Sequence, residues 1–240
     1  MFRRPLLIAN WKMNMGPVDW EAHGSPYWPH NDADVVMMPS AIELPMALSL
    51  EFFAGAQCGR AEDTGAFTGD LSIKMLHDLG CDYILCGHSE RRKHHGETDA
   101  MVLAQATRAL ALEMQPVVCV GETKEERAAG KAEEVVKRQL KDIPAGVIIA
   151  YEPVWAIGTG DTAKPEDAAA MATFIRTQFP GSDDLRVLYG GSITPENADA
   201  LFSVPEIDGG LVGSASLNPE DFRQILNSLL IAKEDIAVNS

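Results

Sequence analysis

The sequence predicts an α/β protein: a single (β/α)8 barrel whose first helix is eroded or distorted. Three observations carry this. Eight short apolar runs recur along the 240 residues, at about 30 residues per strand-and-helix unit, the scale of such barrels. Amphipathic segments with helix-forming composition separate most of them. The runs are apolar throughout rather than alternating, as strands buried on both faces of a parallel sheet should be. The repeat is one of pattern and not of residue identity. An open doubly wound sheet is the alternative reading of the same alternation.

Residues 5–10, PLLIAN, form the expected first strand. The N-terminus begins basic and apolar like a signal peptide, but its apolar part is too short and no small-residue cleavage site follows. Residues 15–32 should hold the first helix, yet they contain Pro17, Gly24, Pro26 and Pro29. An interior proline costs a helix about 3 kcal/mol, so at most a short or distorted one is expected there. DVVMMP (34–39) and FFAGAQ (52–57) are the next strands. LSIKMLHDLG (71–80) reads as a helix ending at Gly80, a residue suited to the left-handed position after a helix. After the strand DYILCG (82–87), residues 97–114 combine strong helix formers with apolar three-to-four spacing. The strand PVVCVG (116–121) precedes a helix over 125–143 with Glu-before-Lys pairs on its surface. VIIAYE (147–152), RVLYGG (186–191) and GGLVGS (209–214) complete the strands. Each is followed by a helix that opens with Pro-Glu, at 165–179, 195–202 and 219–230, a favourable first turn. Residues 232–240 have a polar start and no partner pattern, and are expected to be a mobile tail of one domain spanning 1–240.

The composition supports a sizeable core, with 46% hydrophobic and 23% charged residues. A formal net charge of −15 argues against broad binding to nucleic acid or an anionic membrane, so any anion must be held by local donors. No apolar run reaches the roughly 18 residues of a membrane span. Cys58, Cys81, Cys86 and Cys119 form no C-x-x-C pair and lie in or beside apolar runs. They read as buried, reduced thiols, which suits the cytoplasm.

In a parallel barrel the C-terminal strand ends face the active site. Asn10 and Lys12 follow the first strand, His88 and Glu90 the fourth, and Glu152 ends the sixth. Gly190, Gly191 and Ser192 follow the seventh, Gly213 and Ser214 the eighth. A carboxylate can take a proton from carbon, a histidine can donate to a carbonyl oxygen, and a lysine can stabilise the enolate that develops. Glycine-rich strand-to-helix turns offer backbone N–H groups to a phosphate dianion. The set fits proton abstraction beside a carbonyl on a phosphorylated metabolite. Singly, each residue has a plainer reading: Glu152 a solvated strand end, His88 a packed histidine, Lys12 a surface lysine. Their joint placement is what argues for chemistry. Gly158-Thr159-Gly160 with Ala163 matches a dinucleotide fingerprint but does not follow a strand directly. His94 and His95 lack the partners of a metal site. Arg91-Arg92-Lys93 reads as an ion-paired run at a helix start.

Through ANWKMN, GAFTGD, CGHSERR, AYEPVWAIGTG and YGGSI, in this order, the chain resembles the triosephosphate isomerase family from about Pro5 to Leu230, most weakly over 15–50. The resemblance implies a (β/α)8 barrel that interconverts dihydroxyacetone phosphate and glyceraldehyde 3-phosphate without a cofactor. By motif, Glu152 looks like the base that moves a proton through an enediol(ate), His88 like the neutral electrophile, and Lys12 like the charge stabiliser. Asn10 and Trp11 would line the same site, and Glu90 would position groups or relay protons. Gly158, Ser192 and the turn Gly213-Ser214 would bind phosphate.

Two residues depart from the pattern. Ser214 stands where the family commonly has a second glycine; serine restricts φ but keeps its N–H, so weaker phosphate binding is expected. Asp161 stands where a lysine is usual. Pro153 and Gly158–Gly160 look like the hinges of a lid, with Val154–Ile157 as an apolar middle that would exclude water from Glu152. Family resemblance also implies a homodimer through the loop at 58–70, with Ala66-Phe67 reaching a neighbouring subunit and Met13-Asn14-Met15 facing that loop. A catalytically silent barrel, favoured by residues 15–32 and Ser214, and another phosphosugar enzyme on the same fold remain as alternatives.

Overall fold

The computed structural model describes residues 3–156 and 163–238. Its strands are β1 (Leu6–Asn10), β2 (Asp34–Met38), β3 (Gly55–Ala56), β4 (Tyr83–Cys86), β5 (Gln115–Val120), β6 (Ile148–Tyr151), β7 (Val187–Tyr189) and β8 (Gly209–Val212). All neighbouring pairs are parallel, in the order β2-β1-β8-β7-β6-β5-β4-β3. A parallel bridge between Met37 and Ala54 brings the two ends of that order together, which makes a barrel and not an open sheet.

Side-chain parity explains the uninterrupted apolar runs. Leu6 and Ile8 join Val36, Met38, Leu85, Val117, Cys119, Ile148, Ala150, Leu188 and Leu211 in one buried cluster inside the barrel. Leu7, Ala9, Val35 and Met37, of the other parity, pack outward against the helices. Both faces are dry, so neither parity tolerates polar residues.

The helices are α1 (Leu44–Ser49), α2 (Ile73–Leu79), α3 (Ser89–His95), α4 (Asp99–Ala111), α5 (Lys124–Ala128), α6 (Ala132–Gln139), α7 (Pro165–Thr177), α8 (Pro195–Phe202) and α9 (Pro219–Val238). As expected from its prolines, 15–32 forms turns without a helix. Aromatic packing covers the barrel there instead. Trp11 meets Trp20 and Tyr27 edge-on, each at 5.5 Å between ring centroids, and Tyr27 stacks on Phe222 of α9 at 5.1 Å.

Two elements differ from expectation. The helix expected over 125–143 is split, because Gly130 takes φ +70°. Its N–H bonds the Arg127 carbonyl at 2.9 Å and the Lys131 N–H bonds that of Glu126 at 2.9 Å, which closes α5 before α6 begins. The segment from 232 to 238, expected as a mobile tail, continues α9. Ala232 and Lys233 are buried, and Lys233 Nζ donates to the carbonyls of Phe202 and Val204 at 2.9 and 3.1 Å. Those carbonyls at the end of α8 supply the partners that the sequence pattern did not show.

Candidate active site

The parity that fills the barrel also crowns it. Asn10, Glu152, Gly190 and Gly213 stand two residues beyond the inward-facing Ile8, Ala150, Leu188 and Leu211. They line a cavity of about 220 Å³ at the C-terminal strand ends, together with Trp11, Lys12, His88, Ser192 and Ser214. Glu90 borders a neighbouring cavity of about 480 Å³, which shares Asn10, Lys12 and His88 with the first. Gly158, Asp161 and the second hinge expected at 158–160 lie outside the described residues.

Glu152 is 2% exposed. Its Oε2 accepts the Ser89 N–H at 2.8 Å, and its Oε1 lies 3.0 Å from His88 Nε2. The Glu90 N–H points at His88 Nδ1 at 3.2 Å, so Nδ1 is an acceptor and the proton belongs on Nε2. That assigns a neutral imidazole whose Nε2–H faces Glu152 Oε1 at 3.0 Å, an oxygen with no hydrogen-bond partner among the described residues. His88 owes this direction to its place immediately before α3, where its ring caps the first turn. The room for Glu152 comes from a glycine just past the end of each neighbouring strand, β5 and β7. A Cβ on Gly190 would lie 2.8 Å from Glu152 Cγ, and one on Gly121 would collide with the Glu152 carbonyl.

Lys12 carries its side chain into the site from a left-handed backbone, φ +54°. Such a conformation costs about 1–3 kcal/mol and persists only where neighbours enforce it. Asn10 Oδ1 accepts the Lys12 N–H at 3.1 Å, and Gln57 Nε2 donates to the Lys12 carbonyl at 2.7 Å. Lys12 Nζ pairs with Glu90 Oε1 at 2.7 Å. Burial pushes the Glu90 carboxyl up, but the Lys12 hydrogen bond and charge outweigh it and hold the group below the usual range.

At the opposite end, Gly213 and Ser214 lead into a 3-10 turn, Ser214–Leu217. Ser214 is not among the residues with positive φ, so serine sits there without backbone strain. The Ser216 N–H and Oγ both donate to the Gly213 carbonyl, at 2.9 and 2.7 Å.

Sequence reasoning missed three supports: Ser89, Gln57 and Glu122. Glu122 is fully buried and accepts Tyr151 Oη at 3.1 Å and Trp155 Nε1 at 2.9 Å. Arg127 pairs with it at 3.3 Å and lies 4.8 Å from the Trp155 ring centroid. Trp155 belongs to a 3-10 turn, Val154–Ala156, that begins two residues after Glu152. The signal for Glu122 was present, since it follows the fifth apolar run almost directly.

The family model for triosephosphate isomerase matches residues 5–229. This chain belongs to the triosephosphate isomerase family. A triosephosphate isomerase from Herpetosiphon aurantiacus is 45% identical, over 93% of this chain and 98% of its own length. Those of Cupriavidus taiwanensis and Thermus thermophilus are 44% and 42% identical, over 94% and 93% of this chain. Triosephosphate isomerase relatives thus match across nearly the whole barrel, including the helix-poor first unit.

Proposed function

We propose that the chain interconverts dihydroxyacetone phosphate and D-glyceraldehyde 3-phosphate, with Glu152 as the base. One observation carries the reading: Glu152, His88 and Lys12 converge on a single cavity whose far wall is the Ser192 and Gly213–Ser214 turns. Glu152 releases the Ser89 N–H and takes a proton from the carbon beside the carbonyl. The electron pair moves onto the carbonyl oxygen, where His88 Nε2–H and the Lys12 ammonium stabilise it. Glu152 then returns the proton to the neighbouring carbon, and a proton passes between the two substrate oxygens. Asn10 and Trp11 line this end, and Glu90 holds Lys12. Ser192, Gly213, Ser214 and Gly158 take the phosphate. A coupled assay tests the reading. Glu152→Gln keeps the shape and removes the base, so turnover should fall by about 10²–10⁴-fold. A parent protein without turnover on glyceraldehyde 3-phosphate overturns it and leaves the silent barrel.

The same proposal includes a lid, a homodimer and a cytoplasmic location. Trp155 anchored on Glu122 supports a lid hinged at Pro153, with Val154–Ala156 in its apolar middle. Met13 is 97% exposed beside the 480 Å³ cavity, and Met15, Ile42 and Phe67 are exposed too, which supports a partner subunit. The 58–70 loop is organised for it: Arg60 lies 3.6 Å over the Phe67 ring and pairs with Glu62 and Asp70. All four cysteines are free thiols, which supports a reducing compartment. Among the described residues, no helix is long and apolar enough to cross a membrane.

A further inference from the structure

We propose that Tyr27 is a positioning residue for the phosphate-binding turn: its hydroxyl, with the Trp11 indole, fixes the Ser216 carbonyl and through it Gly213–Ser214. The inference rests on the isomerase reading of that turn. Tyr27 lies in the stretch that lacks the first helix, and it is fully buried. Its Oη donates to the Ser216 carbonyl at 2.7 Å, and Trp11 Nε1 donates to the same oxygen at 3.2 Å. A carbonyl has two lone pairs, so the two donors saturate it. Ser216 then passes the constraint on, because its N–H and Oγ both close onto the Gly213 carbonyl. Gly213 and Ser214 line the substrate cavity, and so does Trp11.

The direction of the Tyr27 hydroxyl is set by its ring. Phe222 stacks on it at 5.1 Å with an interplanar angle of 21°, and Trp11 meets it edge-on at 87°. Phenylalanine would fill this aromatic slot equally well. What tyrosine adds is one buried hydroxyl, and burying a hydroxyl is unfavourable unless it is bonded. The bond it makes leads to the turn.

The consequence is chemical. Backbone N–H groups bind a phosphate only if they point at it, since hydrogen bonds weaken steeply with misalignment. A turn released from its strut still offers donors, but tilted ones. The loss falls on the phosphate end of the substrate and leaves proton transfer at Glu152 untouched. The turns of 15–32 thus brace the site, in place of a helix, with a tyrosine.

Steady-state kinetics and inorganic phosphate titrations on the full chain test this. Tyr27→Phe is expected to raise KM and the phosphate dissociation constant about three- to tenfold, the worth of one hydrogen bond, with kcat within about twofold. Ser216→Ala breaks the next link and is expected to give the same split, which covers a Tyr27→Phe protein that does not fold. Phe179→Leu, a core substitution at the N-terminal strand ends, should lower Tm and leave KM unchanged. If Tyr27→Phe and Ser216→Ala behave like Phe179→Leu, the proposal is overturned. A parent that binds phosphate without turnover defeats the isomerase reading alone, and the titrations then still decide on Tyr27. A parent that binds no phosphate defeats both.

Discussion

Glu152 is placed by constraints that act on single atoms. Ser89 N–H holds one carboxylate oxygen, His88 Nε2–H faces the other, and Gly190 leaves room for the side chain between them. The histidine is oriented in turn by Glu90 N–H. Behind this set lies Glu122, a buried carboxylate that holds the turn after Glu152 through Trp155 Nε1. Trp155→Phe removes that donor while Tyr151 and Arg127 stay on Glu122. A hydrogen bond to a charged group is worth about 1.5–3 kcal/mol. The variant should lose that much stability in denaturant melts, and its turnover should fall because the turn beside Glu152 is loosened. Unchanged stability and kcat would show that Glu122 does not anchor this turn.

On the scale of elements, α9 is the informative case. It runs on to Val238 because Lys233 reaches the open carbonyls at the end of α8. Burial lowers the Lys233 pKa from 10.5 to about 8, and the positive charges of Arg3 and Arg176 add to this while Asp208 and Glu206 oppose it. A depressed lysine pKa means that the unfolded chain binds the proton more tightly than the folded one. The folded state therefore carries a penalty at pH 7, which is relieved as pH rises from about 8 towards 10.5. At full relief this amounts to about 3 kcal/mol. Comparison with Lys233→Met isolates it: the stability difference between parent and variant should shift in favour of the parent between pH 7.5 and 9.5. A difference that stays constant over that interval would mean that Lys233 titrates normally. The break between α5 and α6 is decided just as locally, by one glycine in a left-handed conformation.

For the whole molecule, the exposed apolar side chains Met13, Met15, Ile42 and Phe67 bear on the oligomeric state. Arg60, Glu62 and Asp70 organise the 58–70 loop within one chain, and Arg108 pins it through Asp63 at 2.8 Å. A loop ordered before association loses less conformational entropy on binding. The protein is expected to sediment as a dimer at micromolar concentration. Phe67→Asp, which places a charge on the loop's exposed ring, should shift it towards monomer. A parent that sediments as a monomer removes the homodimer from the reading.

The barrel was legible in the sequence because its physical basis is local and repeated: strands dry on both faces read as apolar runs, and helices between them read as amphipathic periods. The helix-free first unit was legible too, since prolines act on the backbone wherever they stand. So was the gathering of Asn10, Lys12, His88, Glu152 and the Gly213–Ser214 turn around one cavity, because strand ends share one rim. What the sequence could not contain were relations between residues distant along the chain. The tautomer of His88 follows from a backbone N–H in α3, and the course of residues 232–238 from carbonyls at the end of α8. Tyr27 meets Ser216 across 189 positions of sequence. Composition and periodicity determine which surfaces must be buried. Only the closed barrel decides which polar atoms are brought within hydrogen-bonding distance once they are.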